Sequence, residues 1–220
     1  MIRFFYRKVF ATLIVKNRTV VDTSDRMLAM EHESFKHLEI EIFVPATRVR
    51  RAAEFVRTVL AVFDGQGIAM PDEISSALKG IGMYEALLQQ RGTFTHHYPI
   101  AFRRVLPDDA LISMSSGTNE PYYSISFITY VEPRERFFGL ALFLARSMTA
   151  LFRARLHWGK HFPLSNAEIE SVYPHLEEFR RICRQTDPGG VFRNAYTDRV
   201  LGFSSMSAAD DSSGTGGGNA

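Results

Sequence analysis

Apolar and polar residues alternate along His37–Pro45, where Leu38, Ile40, Ile42 and Val44 are separated by charged or aromatic side chains. Successive side chains of a strand point to opposite faces. This pattern therefore predicts a strand that ends at the proline and has one solvent-exposed face. From Ala46 the period becomes helical. The apolar stripe of this helix comprises Val49, Ala52, Ala53, Val56, Val59, Leu60 and Phe63. The arginines off the stripe predict a solvated face rather than a ligand site; they are Arg48, Arg50, Arg51 and Arg57.

The rest of the body mixes further helical and strand patterns. Residues 72–90 predict a weaker helix, interrupted by Gly80 and Gly82. Residues 98–106 and 122–131 predict strands, with a short apolar run at 111–114 between them, and residues 134–152 predict a strongly apolar helix. A helix over 173–185 ends at the turn formed by 187–190. This order predicts an α+β fold, a mostly antiparallel sheet covered by helices.

The two ends of the chain differ from this body. Residues 1–34 predict an N-terminal helix and a connecting arm, and the basic amphipathic part over 1–15 is too short and too charged to span a bilayer. We expect its apolar side to dock on protein, and peripheral membrane contact is the alternative. Residues 204–220 are almost devoid of apolar side chains and predict a disordered tail. The body over 35–203 is therefore expected to be one domain.

Composition limits the classes of function. Lys and Arg number 26 against 24 Asp and Glu, so the net charge is only +2, which does not favour a nucleic-acid partner. Cys183 is the single cysteine, which excludes an internal disulfide and fits a reducing, cytoplasmic compartment. Its helical spacing with Tyr173, Leu176 and Phe179 predicts an inert core residue.

Most familiar chemical motifs are missing from the sequence. Gly65-Gln66-Gly67 has too few glycines for a phosphate-binding loop and follows a predicted helix rather than a strand. We find no zinc-ligand spacing and no nucleophile elbow, and therefore expect no metal site. His96 and His97 are adjacent, so on a strand they would point to opposite faces, and we expect them to pack or to lie at the surface.

The most informative stretch is Arg155-Leu156-His157-Trp158-Gly159-Lys160, which contains the only tryptophan. A glycine beside aromatic rings lets the backbone approach a planar ligand closely, and a fixed lysine can face developing negative charge. The alternative is a tryptophan that anchors packing, beside a lysine whose stem lies along apolar surface.

This stretch belongs to a longer series of motifs. It precedes Tyr-Pro-x-Leu-x-x-Phe from Tyr173, then Asp187-Pro188, Phe192-x-Asn194 and Arg199-Val200-Leu201-Gly202. The series is similar to the C-terminal signature of the D-arabinono-1,4-lactone oxidase family, which includes L-gulonolactone oxidase and alditol oxidase and belongs to the vanillyl-alcohol oxidase flavoproteins. The resemblance implies the substrate (cap) domain of an FAD-linked oxidase. Its implied reaction is the oxidation of a CH–OH group in a sugar lactone or polyol, with electrons passed to oxygen or another acceptor.

The resemblance also implies roles for individual residues. Lys160 and Arg103 would be catalytic, with Lys160 facing the flavin and the reacting carbon and Arg103 orienting a substrate oxygen. His157, Trp158 and Asn194 would contact the cofactor. The sequence departs from the family at Ala101, where relatives carry the carboxylate of a Glu-x-Arg pair. It departs again within 124–129, where relatives often carry Ile-His-Phe-Thr.

The resemblance implies a partner as well. Family members place an FAD-binding domain before the substrate domain, and by this resemblance the chain would correspond to the second of the two. We therefore expect the chain to act with an FAD-binding domain or subunit supplied from elsewhere. The alternative is a non-catalytic remnant or interaction protein that retains the cap-domain fold after losing the carboxylate at Ala101.

Overall fold

The computed structural model describes residues 21, 23 and 36–203, and the folded body begins at His37. The predicted N-terminal helix over 1–15 and the predicted tail over 204–220 lie outside the described residues. Within residues 36–203, no helix combines the length and the hydrophobicity that crossing a membrane requires.

The described body contains short strands and helices in mixed order. In chain order they are β1 (His37–Pro45), a 3-10 turn (Ala46–Arg48), α1 (Val49–Phe63), α2 (Asp72–Gly80), α3 (Tyr84–Gln89), β2 (Ala101–Val105), β3 (Tyr122–Tyr130), α4 (Arg134–Phe152), β4 (Arg155–Leu156), α5 (Asn166–Glu170), α6 (Leu176–Thr186) and α7 (Ala195–Leu201).

The strands form one sheet in the order β2-β3-β1-β4, and every neighbouring pair is antiparallel. The long central pair aligns Glu41 of β1 with Ser126 of β3, and Ser126 in turn lies opposite Ala101 of β2. The prediction of an α+β fold with an antiparallel sheet and covering helices is confirmed.

One face of the sheet is apolar and holds the core. Alternation along β1 and β3 places buried side chains on this face, namely Ile40, Ile42, Val44, Ile125 and Phe127. The amphipathic helix α1 and the apolar helix α4 contribute further core residues. The two helices meet through Phe55 and Phe152, whose ring centroids are 5.5 Å apart, and through Phe63 and Phe143 at 5.9 Å. Most of the core therefore lies on the side of the sheet opposite the charged residues of β1, while Phe43 and Tyr173 are buried on the other side near Arg155.

Several boundaries differ from the sequence expectations. The second strand is limited to Ala101–Val105, and residues 111–114 form turns rather than an extended run. The C-terminal helix α6 begins at Leu176, because the residues from Tyr173 onward form a turn before it. The two-residue strand β4 and the short helices α5 and α7 carry no long periodic pattern, and the sequence did not indicate them.

His96 and His97 lie in an irregular segment before β2. Their ring centroids are 6.5 Å apart. His96 packs against Phe127 with its centroid at 5.9 Å, and His97 stacks on Tyr130 at 5.0 Å. Both imidazoles therefore contact aromatic side chains.

Candidate functional site

The second face of the sheet carries polar side chains and forms the candidate site. We call it the polar face. Its members on the three longer strands are Glu39 and Glu41 of β1, Ala101 and Arg103 of β2, and Ser124, Ser126 and Ile128 of β3. The same alternation that buries the isoleucines of β1 places both of its carboxylates here. The opposite face is occupied by the core, so a ligand of the sheet would bind on this side.

The turn after β4 brings Lys160 to the polar face. The backbone N–H of His157 donates to the carbonyl of Glu41 at 3.0 Å, and the N–H of His161 donates to the carbonyl of Glu39 at 3.1 Å. These bonds hold both ends of the turn against β1. The Nζ of Lys160 lies 2.7 Å from Oε2 of Glu39, and the lysine side chain is 35% exposed while that of the glutamate is 11% exposed. Lys160 is therefore a fixed cation at the edge of the polar face.

A second pair of opposite charges lies beside the first. The NH1 atom of Arg103 is 3.9 Å from Oε1 of Glu41, which is a contact between charges and too long for a hydrogen bond. The arginine side chain is 75% exposed, whereas the glutamate side chain is 6% exposed. Arg103 thus forms the solvent end of the site, and Glu41 forms its buried end.

His157 is oriented by its own turn. Its Nδ1 accepts a hydrogen bond of 3.0 Å from the backbone N–H of Gly159. A neutral imidazole that accepts at Nδ1 carries its proton on Nε2, so this ring presents an N–H donor at its other nitrogen. A Cβ at Gly159 would lie 3.4 Å from Cε1 of His157, at van der Waals contact, so there is space for a methyl group but little beyond it on the side of the ring.

Trp158 packs within the protein. Its indole N–H donates to the carbonyl of Ile112 at 2.8 Å, and its ring stacks on Phe162 with centroids 4.8 Å apart. A second aromatic contact joins it to Tyr173 at 5.0 Å. These contacts match the packing-anchor alternative for the tryptophan. Its contact with a cofactor stays a prediction.

Asn194 begins helix α7. Its side-chain oxygen accepts hydrogen bonds from the backbone N–H groups of Tyr196 and Thr197, both at 3.0 Å. This is the arrangement of a helix N-cap, which satisfies donors that have no partner inside the helix. The structure gives Asn194 a structural role, and the predicted cofactor contact is not tested by it.

Arg155 is a buried anchor at the start of the motif. The residue is 3% exposed, and its guanidinium donates to the carbonyls of Val172 at 2.8 Å and Ser116 at 2.7 Å. Burial lowers the pKa of Arg155, and the electrostatic effects of Tyr122 and Tyr173 oppose that shift. The guanidinium thereby ties β4 to two loops that flank the polar face.

Helix α7 also holds the turn that carries Lys160, on the side of the turn away from β1. The Tyr196 hydroxyl donates to the carbonyl of Trp158 at 2.7 Å. The Arg199 guanidinium donates to the carbonyls of Phe162 at 3.2 Å and Leu164 at 2.9 Å. The C-terminal motifs therefore support the site by holding its backbone.

Cys183 is less buried than predicted. It is half-buried on α6 rather than part of the core, and partial burial raises the pKa of its thiol. Among residues 36–203, no group of three or more His, Cys, Asp or Glu side chains could hold a metal ion.

The structure brings together some of the predicted residues and adds two others. Lys160, Arg103 and His157 lie on or beside the polar face. Glu39 and Glu41 belong to the same site, and the sequence analysis did not select them. The available signal was the Glu-Ile-Glu spacing, which places two carboxylates on one strand face. Their cationic partners come from distant parts of the chain, so the pairs themselves were not visible in the sequence.

Comparison with known proteins agrees with the family resemblance of the C-terminal motifs. Residues 1–200 match the D-arabinono-1,4-lactone oxidase family. The chain is similar to a long-chain alcohol oxidase from an uncultured marine euryarchaeote, with 42% identity over 203 residues, which are 91% of this chain and 42% of that protein.

Two further relatives match over shorter stretches. An alditol oxidase from a Streptomyces strain is 34% identical over 99 residues, which are 45% of this chain and 23% of that protein. An L-gulono-1,4-lactone dehydrogenase from Mycobacterium tuberculosis is 29% identical over 115 residues, 52% of this chain and 26% of that protein. The chain spans less than half the length of each relative.

Proposed function

Because this chain belongs to the D-arabinono-1,4-lactone oxidase family, we propose that it supplies the substrate side of an FAD-linked oxidoreductase. The reaction is the oxidation of a CH–OH group in a polyol or a sugar lactone, with oxygen or another acceptor taking the electrons. The FAD-binding domain comes from another part of the protein or from a separate subunit. The names of the relatives refer to an alcohol, an alditol and a lactone, which share a CH–OH group as a potential electron donor.

The observation that carries this proposal is the pair of ion contacts on one sheet face. Lys160 with Glu39 and Arg103 with Glu41 place two cations beside a patch of small polar side chains. Such an arrangement suits a neutral, oxygen-rich substrate next to a group that gains negative charge.

The residues present fit the ring of a flavin better than its phosphates. FAD, when bound, supplies the hydride acceptor for the oxidation. Lys160 is a partly exposed cation held in one position, which suits a ring that becomes more negative on reduction. The sequence offers no glycine-rich phosphate loop, so the pyrophosphate would be held by the FAD-binding domain.

Each charged residue then has a separate task. Glu39 holds the ammonium of Lys160 in place, so the charge is already oriented before substrate binds. Arg103 donates hydrogen bonds to a substrate oxygen at the exposed end of the site. His157 offers the Nε2–H that remains after Nδ1 accepts from Gly159.

The test is reconstitution of the 220-residue chain with an FAD-binding domain. We would co-express it with the remaining part of the euryarchaeal relative and mix the complex anaerobically with alditols, sugar lactones and primary alcohols. Bleaching of the flavin absorbance by any CH–OH donor, and its slowing in Lys160→Met, supports the proposal.

Two outcomes would contradict the proposal, one in whole and one in part. A complex that retains FAD but is bleached by no CH–OH compound would support the non-catalytic remnant. Bleaching at the same rate in Lys160→Met would remove that residue from the mechanism while leaving the oxidase in place. Photoreduction of the same complex is the control, since it shows that the bound flavin can be reduced.

A further inference from the structure

Two adjacent apolar side chains between α6 and α7 point into solvent. Val191 is 80% exposed and Phe192 is 83% exposed, and within residues 36–203 no other large apolar side chain is as exposed. A single exposed apolar residue is ordinary on a protein surface, whereas neighbouring ones form a patch that favours contact with a partner. We call residues 187–193, which carry this patch, the apolar turn.

Hydrogen bonds fix the backbone of the apolar turn. The carboxylate of Asp187 accepts from the backbone N–H of Val191 at 2.8 Å and from that of Phe192 at 2.9 Å. The N–H of Gly190 donates to the carbonyl of Asp187, and the N–H of Arg193 donates to the carbonyl of Gly190, both at 3.1 Å. Gly190 has a φ of 67°, a conformation that favours glycine. The two apolar side chains are therefore held outward by an ordered backbone.

The charges of the apolar turn already have partners. The carboxylate of Asp187 is bound by two N–H groups, and Nε of Arg193 lies 2.7 Å from Oδ1 of Asp198. A partner that covers the turn would therefore bury no unpaired charge. Aromatic side chains on an ordered backbone are common anchors of protein interfaces, because little conformational entropy is lost on binding. The turn thus suits contact with an apolar protein surface.

The apolar turn leads directly into the helix that holds the Lys160 turn. Phe192 lies two residues before the N-cap of α7, and Tyr196 in the first turn of α7 donates to the carbonyl of Trp158. From Phe192 to Tyr196 the chain spans at most about 14 Å. A protein interface of standard size covers about 800 Å² on each partner, a patch roughly 30 Å across. A partner docked over the Lys160 turn is wide enough to cover the apolar turn as well.

Three occupants of the apolar turn can be compared. Residues 204–220 contain Met206 as their one large apolar residue, so they offer little apolar surface to cover Val191 and Phe192. A second copy of the chain would cover the turn but would bring no flavin to Lys160. An FAD-binding domain meets both needs, and more than half of the euryarchaeal relative lies outside its match with this chain.

We propose that the apolar turn is a docking site for the FAD-binding domain, with Phe192 as the anchor that enters an apolar pocket of that domain. This inference rests on the proposed function, from which it takes its partner, and adds the surface through which the two parts associate. Because α7 holds both the apolar turn and the backbone beside Lys160, docking there also positions the lysine relative to the flavin.

The experiment measures association and requires no turnover. The 220-residue chain is co-expressed with the remaining part of the euryarchaeal relative, and analytical ultracentrifugation of the complex over a dilution series gives the Kd. Phe192→Ser should raise this Kd about 30-fold or more, because an anchoring aromatic side chain is lost. Phe192→Leu keeps an apolar side chain and should raise it only severalfold.

Leu106→Ser is the matched control. It makes the same kind of change at another exposed apolar side chain, which is 63% exposed, and should leave the Kd unchanged. Thermal melting of each variant beside the parent checks the fold, which we expect to be retained because both positions are exposed.

Photo-crosslinking identifies the occupant directly. With p-benzoylphenylalanine in place of Phe192, irradiation of the complex should attach the chain to the FAD-binding part, whereas the same replacement of Leu106 should not. A crosslink from position 192 to a second copy of the chain, or to residues 204–220, would name another occupant and overturn the proposal.

The proposal also fails if co-expression gives no complex, or if the Phe192→Ser complex dissociates like the parent complex. These results differ from failure of the oxidase assignment. A complex that depends on Phe192, but whose flavin no CH–OH compound reduces, would retain the docking site and reject the redox reaction. Flavin bleaching in a complex that Phe192→Ser leaves equally tight would retain the oxidase and reject the docking site.

Discussion

Glu39 on β1 and Lys160 in the turn after β4 form an ion pair with 2.7 Å between Oε2 and Nζ. The pair joins a central strand to the turn that carries the family motif. It gives the lysine a defined position, which a free lysine on a flexible stem would lack.

Replacement of Lys160 with Met should slow flavin reduction while the fold is retained. Methionine keeps much of the apolar stem but removes the charge. Loss of one oriented electrostatic group costs about 3 kcal/mol, or on the order of 10²-fold in rate. Anaerobic stopped-flow measurement of flavin bleaching in the reconstituted complex gives the rate, and circular dichroism checks the fold.

Glu39→Gln should slow the same reaction by a smaller factor, about tenfold, because the ammonium remains but loses its fixed orientation. Stopped-flow bleaching of this variant beside Lys160→Met gives the comparison. A double variant that is no slower than Lys160→Met alone would show that Glu39 acts through the lysine. An additive loss would instead indicate an independent role for the carboxylate.

Gly159→Ala should be tolerated, whereas Gly159→Val should reduce turnover. An added Cβ would lie 3.4 Å from Cε1 and 3.5 Å from Nδ1 of His157, at van der Waals contact, so the further methyl groups of valine would press on the ring. Because the position is exposed, we expect the free energy of unfolding to change by less than about 1 kcal/mol. Gly67→Val is the matched control, since nothing lies within 4 Å of its added Cβ. Turnover of Gly159→Val equal to that of Gly67→Val would contradict a role for the ring position.

Arg155→Met should destabilise the fold strongly. The guanidinium is buried and satisfies the carbonyls of Val172 and Ser116, which would be left without a donor. We expect a loss of about 3 kcal/mol or more in the free energy of unfolding. Urea denaturation measures it, and Arg50→Met, at a side chain that is 90% exposed, serves as the control. Similar midpoints for the two variants would exclude the anchoring role.

His96 should make the fold less stable in acid. Burial, together with the nearby charge of His97, lowers the pKa of His96 from 6.5 to about 4. Between pH 4 and pH 6.5, His96 binds a proton more readily in the unfolded chain than in the folded one. The stabilisation is therefore complete above about pH 6.5 and falls by up to about 3 kcal/mol as the pH drops towards 4.

Replacement of His96 with Phe removes this titration and keeps the aromatic contacts. Unfolding free energies measured at several pH values should fall less steeply for His96→Phe than for the parent. Parallel curves for His96→Phe and the parent would mean that His96 titrates alike in the folded and unfolded states.

The sequence predicted the long elements well because each carries a clear period. Strand β1 and helix α4 have the predicted limits, since alternation and a 3.6-residue stripe extend over their whole length. Strand β4 has only two residues, and its pairing with Ile42 and Phe43 of β1 defines it. A contact of that kind leaves no local pattern in the chain.

The candidate site could be predicted only in part, and from a different signal. Lys160 and Arg103 were selected because the family motifs contain them. Glu41 was not selected, because its place in the site follows from its contact with Arg103 of β2. That contact arises only when β1, β3 and β2 are assembled side by side.

The hydrogen bonds from α7 to the backbone on both sides of Lys160 have a consequence for synthesis on the ribosome. The turn leaves the exit tunnel before the helix that holds Trp158 and Phe162 in place. During translation the lysine therefore reaches its partner on β1 before its backbone is fixed. The backbone around Lys160 is held in place only after Tyr196 and Arg199 have left the tunnel and formed their hydrogen bonds. A pause in translation after β4 would therefore leave a nascent chain whose sheet is complete but whose Lys160 turn is not yet fixed.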